Sequence, residues 1–230
     1  MGAARRPGST GPNSRRPGST GPSSTEAEGR VRPGSRRSGG RAAHHRAAGE
    51  RACTRPLLAD RRSPRAFDAT ATLGADQLDL LLDAARWAPS AANTQPWRFL
   101  VGRRGDRAFD ALLAALNPAN QEWARDAAAL VLVAAETADA EGAPRRWAAY
   151  DAGQAAAHLT AQASALGLSV RQMGGFRAAE LPALPERVTP LVIVAVGVAL
   201  AADRIPEGHP ATRLPARDRR PLPELLLDVT

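Results

Sequence analysis

Residues 61 to 65 read Arg61, Arg62, Ser63, Pro64 and Arg65, three guanidiniums and a hydroxyl within five positions. Arginine offers forked, permanently charged donors, so this grouping suits a phosphate. Standing alone, it reads better as a solvated charge run. A second stretch, Ala88-Pro89-Ser90-Ala91-Ala92-Asn93-Thr94-Gln95-Pro96-Trp97, carries a different chemistry. Its two prolines cannot continue a helix or donate to a strand ladder, while Ser90, Asn93, Thr94 and Gln95 supply neutral donors and acceptors. A rigid neutral rim of this kind suits a planar heteroaromatic ligand with carbonyls and ring nitrogens. In Met173-Gly174-Gly175-Phe176 two side chains are missing where backbone must come close to something, and positive φ is permitted; alone it is an ordinary strand-to-helix turn. Near the end, Arg213, Arg217, Arg219 and Arg220 cluster just before Pro221 and Leu222.

Taken together and in this order, the segment from Arg61 to Phe67, the run APSAANTQPWRF, the Gly-Gly-Phe at 174–176 and Arg217-Asp218-Arg219 resemble the FMN-dependent nitroreductase family, over about residues 56–230. The resemblance implies an α+β, three-layer fold: a central, mostly antiparallel sheet flanked by helices, homodimeric with an exchanged C-terminal tail. It implies that Arg61, Arg62 and Ser63 hold the FMN phosphate and ribityl chain, and that Arg65 lies near flavin N1 and the C2 carbonyl. Pro89, Ser90, Ala91 and Asn93 then belong to the flavin-holding loop, with Asn93 on the pyrimidine edge. The backbone amides of Gly174 and Gly175 approach N5 and O4. Arg217 and Arg219 reach the phosphate, although the sequence does not decide among Arg217, Arg219 and Arg220.

The same resemblance implies reduction by NADH or NADPH and oxidation by a small-molecule acceptor such as a nitroaromatic, a quinone or an enal. Hydride transfer between stacked rings needs proximity more than a catalytic side chain, so no residue is assigned as acid or base. Relatives on this scaffold also fragment flavin, dehalogenate and oxidise azolines, which leaves a flavin-binding protein with non-reductase chemistry as an alternative.

Charge divides the chain. The first 55 residues hold twelve arginines against three glutamates, a net +9, while the remaining nineteen arginines and twenty acids leave −1. The overall +8 therefore belongs to the N-terminal segment, where RRPGSTGPNS at 5–14 is nearly repeated as RRPGSTGPSS at 15–24. Such a segment has too little apolar surface to offset chain entropy and is expected to be a disordered arm. It could bind nucleic acid through its arginines, but it has no aromatics for stacking bases and no amphipathic pattern for a membrane surface, so both partners are disfavoured. A nucleic-acid-associated protein acting through the arm is the competing reading. Residues 56–230 fit one domain of ordinary size.

Cys53 is the single cysteine, and His44, His45, His158 and His209 have no metal-ligand spacing, so no metal site is expected. No run reaches the ~18 apolar residues of a membrane span, and no signal peptide is seen, which points to the cytoplasm.

The elements that must position these groups follow from periodicity. Residues 73–87 form an amphipathic helix through Leu78, Leu81, Leu82 and Ala85, with Asp76 as its N-cap and Trp87 in the core. Strands are expected at 97–101, 127–135, 168–172 and 189–200, and a helix at 106–116 carrying Phe109, Leu112, Leu113 and Leu116. Asn117 to Trp123 turns into a short helix. A long alanine-rich helix, about 146–166 with Gly167 at its end, suits close helix contacts on more than one side, as in a dimer core. His158 within it reads as a packed or hydrogen-bonded residue rather than a base. The leucines at 222, 225, 226 and 227 form an apolar tail that needs a surface to cover.

Overall fold

The structure, a computed structural model, describes residues 56–214 and 217–228. The expected arm at 1–55 lies outside the described residues. Among the described residues nine α-helices and strands follow one another: α1 (Pro56–Ala59), α2 (Ala75–Arg86), β1 (Trp97–Arg103), α3 (Arg107–Ala115), α4 (Pro118–Ala124), β2 (Ala129–Glu136), α5 (Ala148–Ala165), β3 (Ser169–Met173) and β4 (Val188–Gly197). The four strands form one sheet in the order β1-β2-β4-β3, and every neighbouring pair is antiparallel.

β2 reads as an unbroken apolar run because both of its faces are covered. Val131 and Val133 point to one side, where they pack with Leu78, Leu81 and Ala85 of α2 and with Ala152, Ala155 and Leu159 of α5. Leu130 and Leu132 point to the other, against Phe109, Leu112 and Leu116 of the α3 region and Trp123 of α4. This period-two alternation on a doubly buried strand produces the expected three layers. Between Val133 and Ala134 the β2–β4 register shifts, so that Val133 faces Val192 and Ala134 faces Pro190. A bulge there accommodates a proline that cannot donate to the ladder.

Close approach decides one glycine. A Cβ on Gly102 of β1 would stand 2.1 Å from the backbone nitrogen of Phe109. α3 therefore seats directly on the strand. Gly167, at φ 72°, ends α5 in the left-handed conformation that glycine takes without strain.

Some local expectations differ from the structure. The N-cap of α2 is Gly74, whose backbone nitrogen donates to Gln77 Oε1 at 3.1 Å; Asp76 lies inside the first turn. Trp87 is 71% exposed rather than buried, because it caps the end of α2 beyond the apolar stripe, with Arg86 over its ring. His158 is exposed on the outer face of α5.

Candidate cofactor-binding site

Residues 61–65 are held from three directions. Downstream, Phe67 is buried, stacks on Trp123 at 6.2 Å between ring centroids, and bridges to Ala199 beyond β4. Asp68 N donates to Val198 O and Leu200 N to Ala66 O, which pins the segment along the end of the sheet. From the edge strand β3, Arg171 Nη1 donates to Ser63 O at 2.5 Å. From the C-terminal segment, Arg217 donates to Ala59 O and to Leu58 O.

The result is a cavity of about 780 Å³ whose walls carry six arginines, Arg61, Arg62, Arg65, Arg171, Arg217 and Arg219, together with Ser63 and a single acid, Asp218. Arg61 Nη1 donates to Ser63 Oγ at 2.8 Å, Arg62 Nη1 to Asp60 O at 3.1 Å, and Arg219 Nη1 to Asp218 O at 2.6 Å. These partners are hydroxyls and carbonyls. Among the described residues the ion pairs involve Arg86, Arg98, Arg145, Arg177 and Arg204, none of which lines this cavity. Desolvation, then the guanidiniums of Arg219, Arg62 and Arg61, hold Arg217 below the usual arginine range. Burial, and then Arg65, do the same to Arg171. Arg65 Nε is sealed from solvent without a partner. Cations gathered this way repel one another until an anion arrives, so the residues present fit a phosphate.

The 89–95 loop is a strained, exposed turn tied to α5. Ala92, Asn93 and Gln95 have φ of 49°, 55° and 46°, each a conformation costing a residue with a Cβ roughly 1–2 kcal/mol. Asp151, 3% exposed on α5, anchors it by accepting from Ala91 N at 3.0 Å. Ser90 Oγ accepts from Gln95 N at 3.0 Å, and Gln95 Nε2 donates to Asn93 O at 3.3 Å. Side chains that the sequence suggested for a ligand thus partly hold the loop's own shape. Backbone strain stabilised by dedicated contacts is a recurrent mark of binding sites.

Gly174 and Gly175 leave the end of β3, four residues or fewer from Arg171. Asn117 N donates to Gly175 O at 3.0 Å and Asn120 Nδ2 to the same oxygen at 3.2 Å. Neither glycine has positive φ. Gly175 is required by crowding instead, since a Cβ there would meet Asn117 Nδ2 at 2.9 Å and Asn120 Nδ2 at 3.1 Å. Gly174 is exposed, and a Cβ would meet nothing within 4 Å.

The chain therefore brings Arg61, Arg62, Ser63, Arg65, Arg217 and Arg219 to one cavity. Pro89, Ser90, Ala91, Asn93, Gly174 and Gly175 do not line it. An adjoining cavity of about 430 Å³ lies between Arg61, Ser63, Gln172 and the Ala157, Thr160 and Ala161 face of α5.

Residues 58–198 match the model of the nitroreductase family. The chain belongs to that family.

Individual proteins show how far the likeness runs. An uncharacterized 15.4 kDa protein of Mycolicibacterium smegmatis is 38% identical over 146 residues, 57% of this chain and 91% of that one. The oxygen-insensitive NADPH nitroreductase of Helicobacter pylori is 34% identical over 79 residues, and the match spans 34% of this chain and only 37% of that enzyme. Among solved structures, an oxidoreductase containing FMN is 32% identical with a TM-score of 0.70, covering 78% of this chain and 93% of that one. A nitroreductase-type protein of Desulfovibrio desulfuricans, solved in complex with FMN, is 30% identical with a TM-score of 0.59, covering 77% and 99%. The nitroreductase match takes in the 61–65 segment, the 89–95 loop and the glycine pair, whereas Arg217 and Arg219 lie beyond it.

Arg171 and Asp151 are the site residues that sequence reasoning missed. Asp151 could have been found: it falls with Ala148, Ala152, Ala155 and Leu159 on the inner stripe of α5, where an acid needs a donor. Arg171 had no comparable signal, because a cation on an edge strand is an ordinary solvated residue until the chain bends back over it.

Proposed function

We propose that this protein is an FMN-dependent NAD(P)H oxidoreductase, homodimeric and cytoplasmic, passing hydride to a small organic acceptor such as a nitroaromatic, quinone or enal. The observation that carries the reading is the cavity with six arginines and one acid. Arg61, Arg62, Ser63, Arg217 and Arg219 hold the phosphate and the start of the ribityl chain, and Arg65 faces the pyrimidine side of the ring. Pro89, Ser90, Ala91 and Asn93 form the rim of the ring site, and the backbone at Gly174 and Gly175 borders its N5 and O4 edge. FMN, when bound, supplies the two-electron chemistry. The chain's part is to bind, orient and supply charge.

Two features favour the dimer. β1 is an open edge of the sheet, flanked by a groove of about 810 Å³ in which Leu80, Leu82, Trp97 and Phe99 supply apolar surface. The leucines at 222, 225, 226 and 227 are 53–93% exposed on their own chain. Exchange of the C-terminal tail between protomers covers such leucines, and the exposed Gly153 and Ala157 on α5 permit close approach of a second helix. A dimer also offers a second copy of the 89–95 loop to a site that one protomer does not close. Among the described residues no helix is long and apolar enough to cross a membrane.

The test is the absorption spectrum of the purified protein, reconstituted with FMN, before and after NADPH is added under nitrogen. A flavin spectrum that bleaches supports the reading; a protein that stays colourless after incubation with FMN overturns it. Flavin that binds and resists both NADPH and NADH would move the protein to the non-reductase chemistries of this fold.

A further inference from the structure

The phosphate reading employs four of the six arginines on the cavity and leaves Arg65 and Arg171 as a second group. Arg171 is held by a carbonyl and an aromatic face, with Nη1 on Ser63 O at 2.5 Å and Cζ 5.6 Å over the ring of the buried Trp123. Arg65 Nε is buried and without a partner. Asp218, the one acid on the cavity, belongs to the other group: its Oδ1 accepts from Arg219 N at 2.7 Å. Asp60 likewise acts on Arg217. The repulsions divide the same way, Arg217 with Arg219, Arg62 and Arg61, and Arg171 with Arg65. Two half-buried guanidiniums that meet no carboxylate among the described residues are stabilised by any negative charge that develops beside them.

We propose that Arg171 joins Arg65 in a second anion seat of this cavity, one that binds the negative charge acquired by the flavin ring on reduction, while Arg61, Arg62, Arg217 and Arg219 hold the phosphate. The proposal rests on the FMN reading above. Hydride transfer breaks the C4–H bond of the dihydronicotinamide, makes an N–H bond at N5 and places one unit of negative charge on the ring. The donor leaves as a pyridinium, and no proton from the protein is needed. The phosphate keeps its charge throughout, so its arginines stabilise oxidised and reduced forms alike. Only a cation that interacts differently with the two forms shifts the equilibrium between them.

Full-length protein loaded with FMN tests this, as wild type, Arg171→Gln, Arg171→Lys and Arg219→Gln, by anaerobic titration that yields the dissociation constants of oxidised and reduced FMN and the midpoint potential. Arg171→Gln is expected to weaken reduced FMN about tenfold more than oxidised FMN, as an opposite charge at ~4–6 Å would, and so to lower the potential. Arg171→Lys keeps the charge, loses the Nη1 contact to Ser63 O, and retains most of the wild-type potential. Arg219→Gln weakens both forms equally. An unchanged ratio in Arg171→Gln, or an Arg171→Lys potential as low as that of Arg171→Gln, would show that Arg171 only latches the 61–65 segment, and overturns the proposal. Wild-type protein that binds no FMN overturns the underlying reading instead.

Discussion

Arg61 and Arg219, from opposite ends of the folded region, line the same cavity, and among the described residues neither guanidinium forms an ion pair. Chain topology makes this possible. α1 packs against α5, the 61–65 segment is held from the edge strand β3 by Arg171, and the segment after β4 returns to them, with Arg217 donating to Ala59 O. Replacing Arg61 and Arg219 together by alanine removes two charge-assisted contacts of about 1.5–3 kcal/mol each. FMN affinity, followed by quenching of flavin fluorescence, is expected to fall at least a hundredfold. An unchanged dissociation constant would show that the phosphate lies elsewhere.

Asp151 holds the 89–95 loop through the amide of Ala91. Asp151→Ala leaves that amide unpaired beside a small void and is expected to lower unfolding stability by about 1–3 kcal/mol. Amide exchange at Ala91 should rise at the same time. Stability lost without faster exchange in the loop would separate Asp151 from the rim.

Two glycines give opposite expectations. Gly102→Ala forces a Cβ to within 2.1 Å of the Phe109 backbone nitrogen, which no rotamer relieves, so α3 must lift from β1. Loss of cooperative unfolding, or destabilisation of roughly 3 kcal/mol or more, is expected. Gly174→Ala meets open space and should leave the melting temperature nearly unchanged. Equal effects of the two substitutions would contradict the packing described here.

Thr70 Oγ1 and Thr70 N both donate to Asp68 Oδ1, at 2.6 and 2.9 Å, and these bonds, with a smaller contribution from Arg204, hold the Asp68 carboxyl below its ordinary range. A depressed folded-state pKa gives stability that is present above the ordinary aspartate value of about 3.9 and is lost as pH falls from there through the lower folded-state value. Asp68→Asn should therefore flatten the acid limb of a stability–pH curve below about pH 5 while leaving its neutral region parallel to wild type. A curve with the same acid slope would remove Asp68 from the account.

The layers were legible in the sequence because their signals are periodic. The stripe of α2, the stripe of α3 and the doubly buried run of β2 each announce their own environment, and the nitroreductase-like order of motifs arranges them. What stayed hidden depends on contacts between distant segments. Trp87 belongs to no stripe once α2 stops at Arg86, so its hydrophobicity misled. Gly175 follows from crowding by Asn117 and Asn120, not from backbone freedom. Arg171 matters because the 61–65 segment lies over β3, and no local pattern reports that. The 89–95 segment was recognisable as a break between α2 and β1, but that Ser90 and Gln95 maintain its left-handed turn depends on hydrogen bonds no sequence pattern reports.

The arginine cavity is proposed to seat the phosphate of FMN. Riboflavin carries the same ring and ribityl chain without that phosphate, so the most direct measurement is the ratio of dissociation constants for riboflavin and FMN, in wild type and in the Arg61→Ala, Arg219→Ala double variant. We expect FMN to bind at least about a hundredfold more tightly than riboflavin to wild type, from two or more charge-assisted contacts, and the ratio to collapse toward unity in the variant. Equal affinities of wild type for the two flavins would contradict the claim.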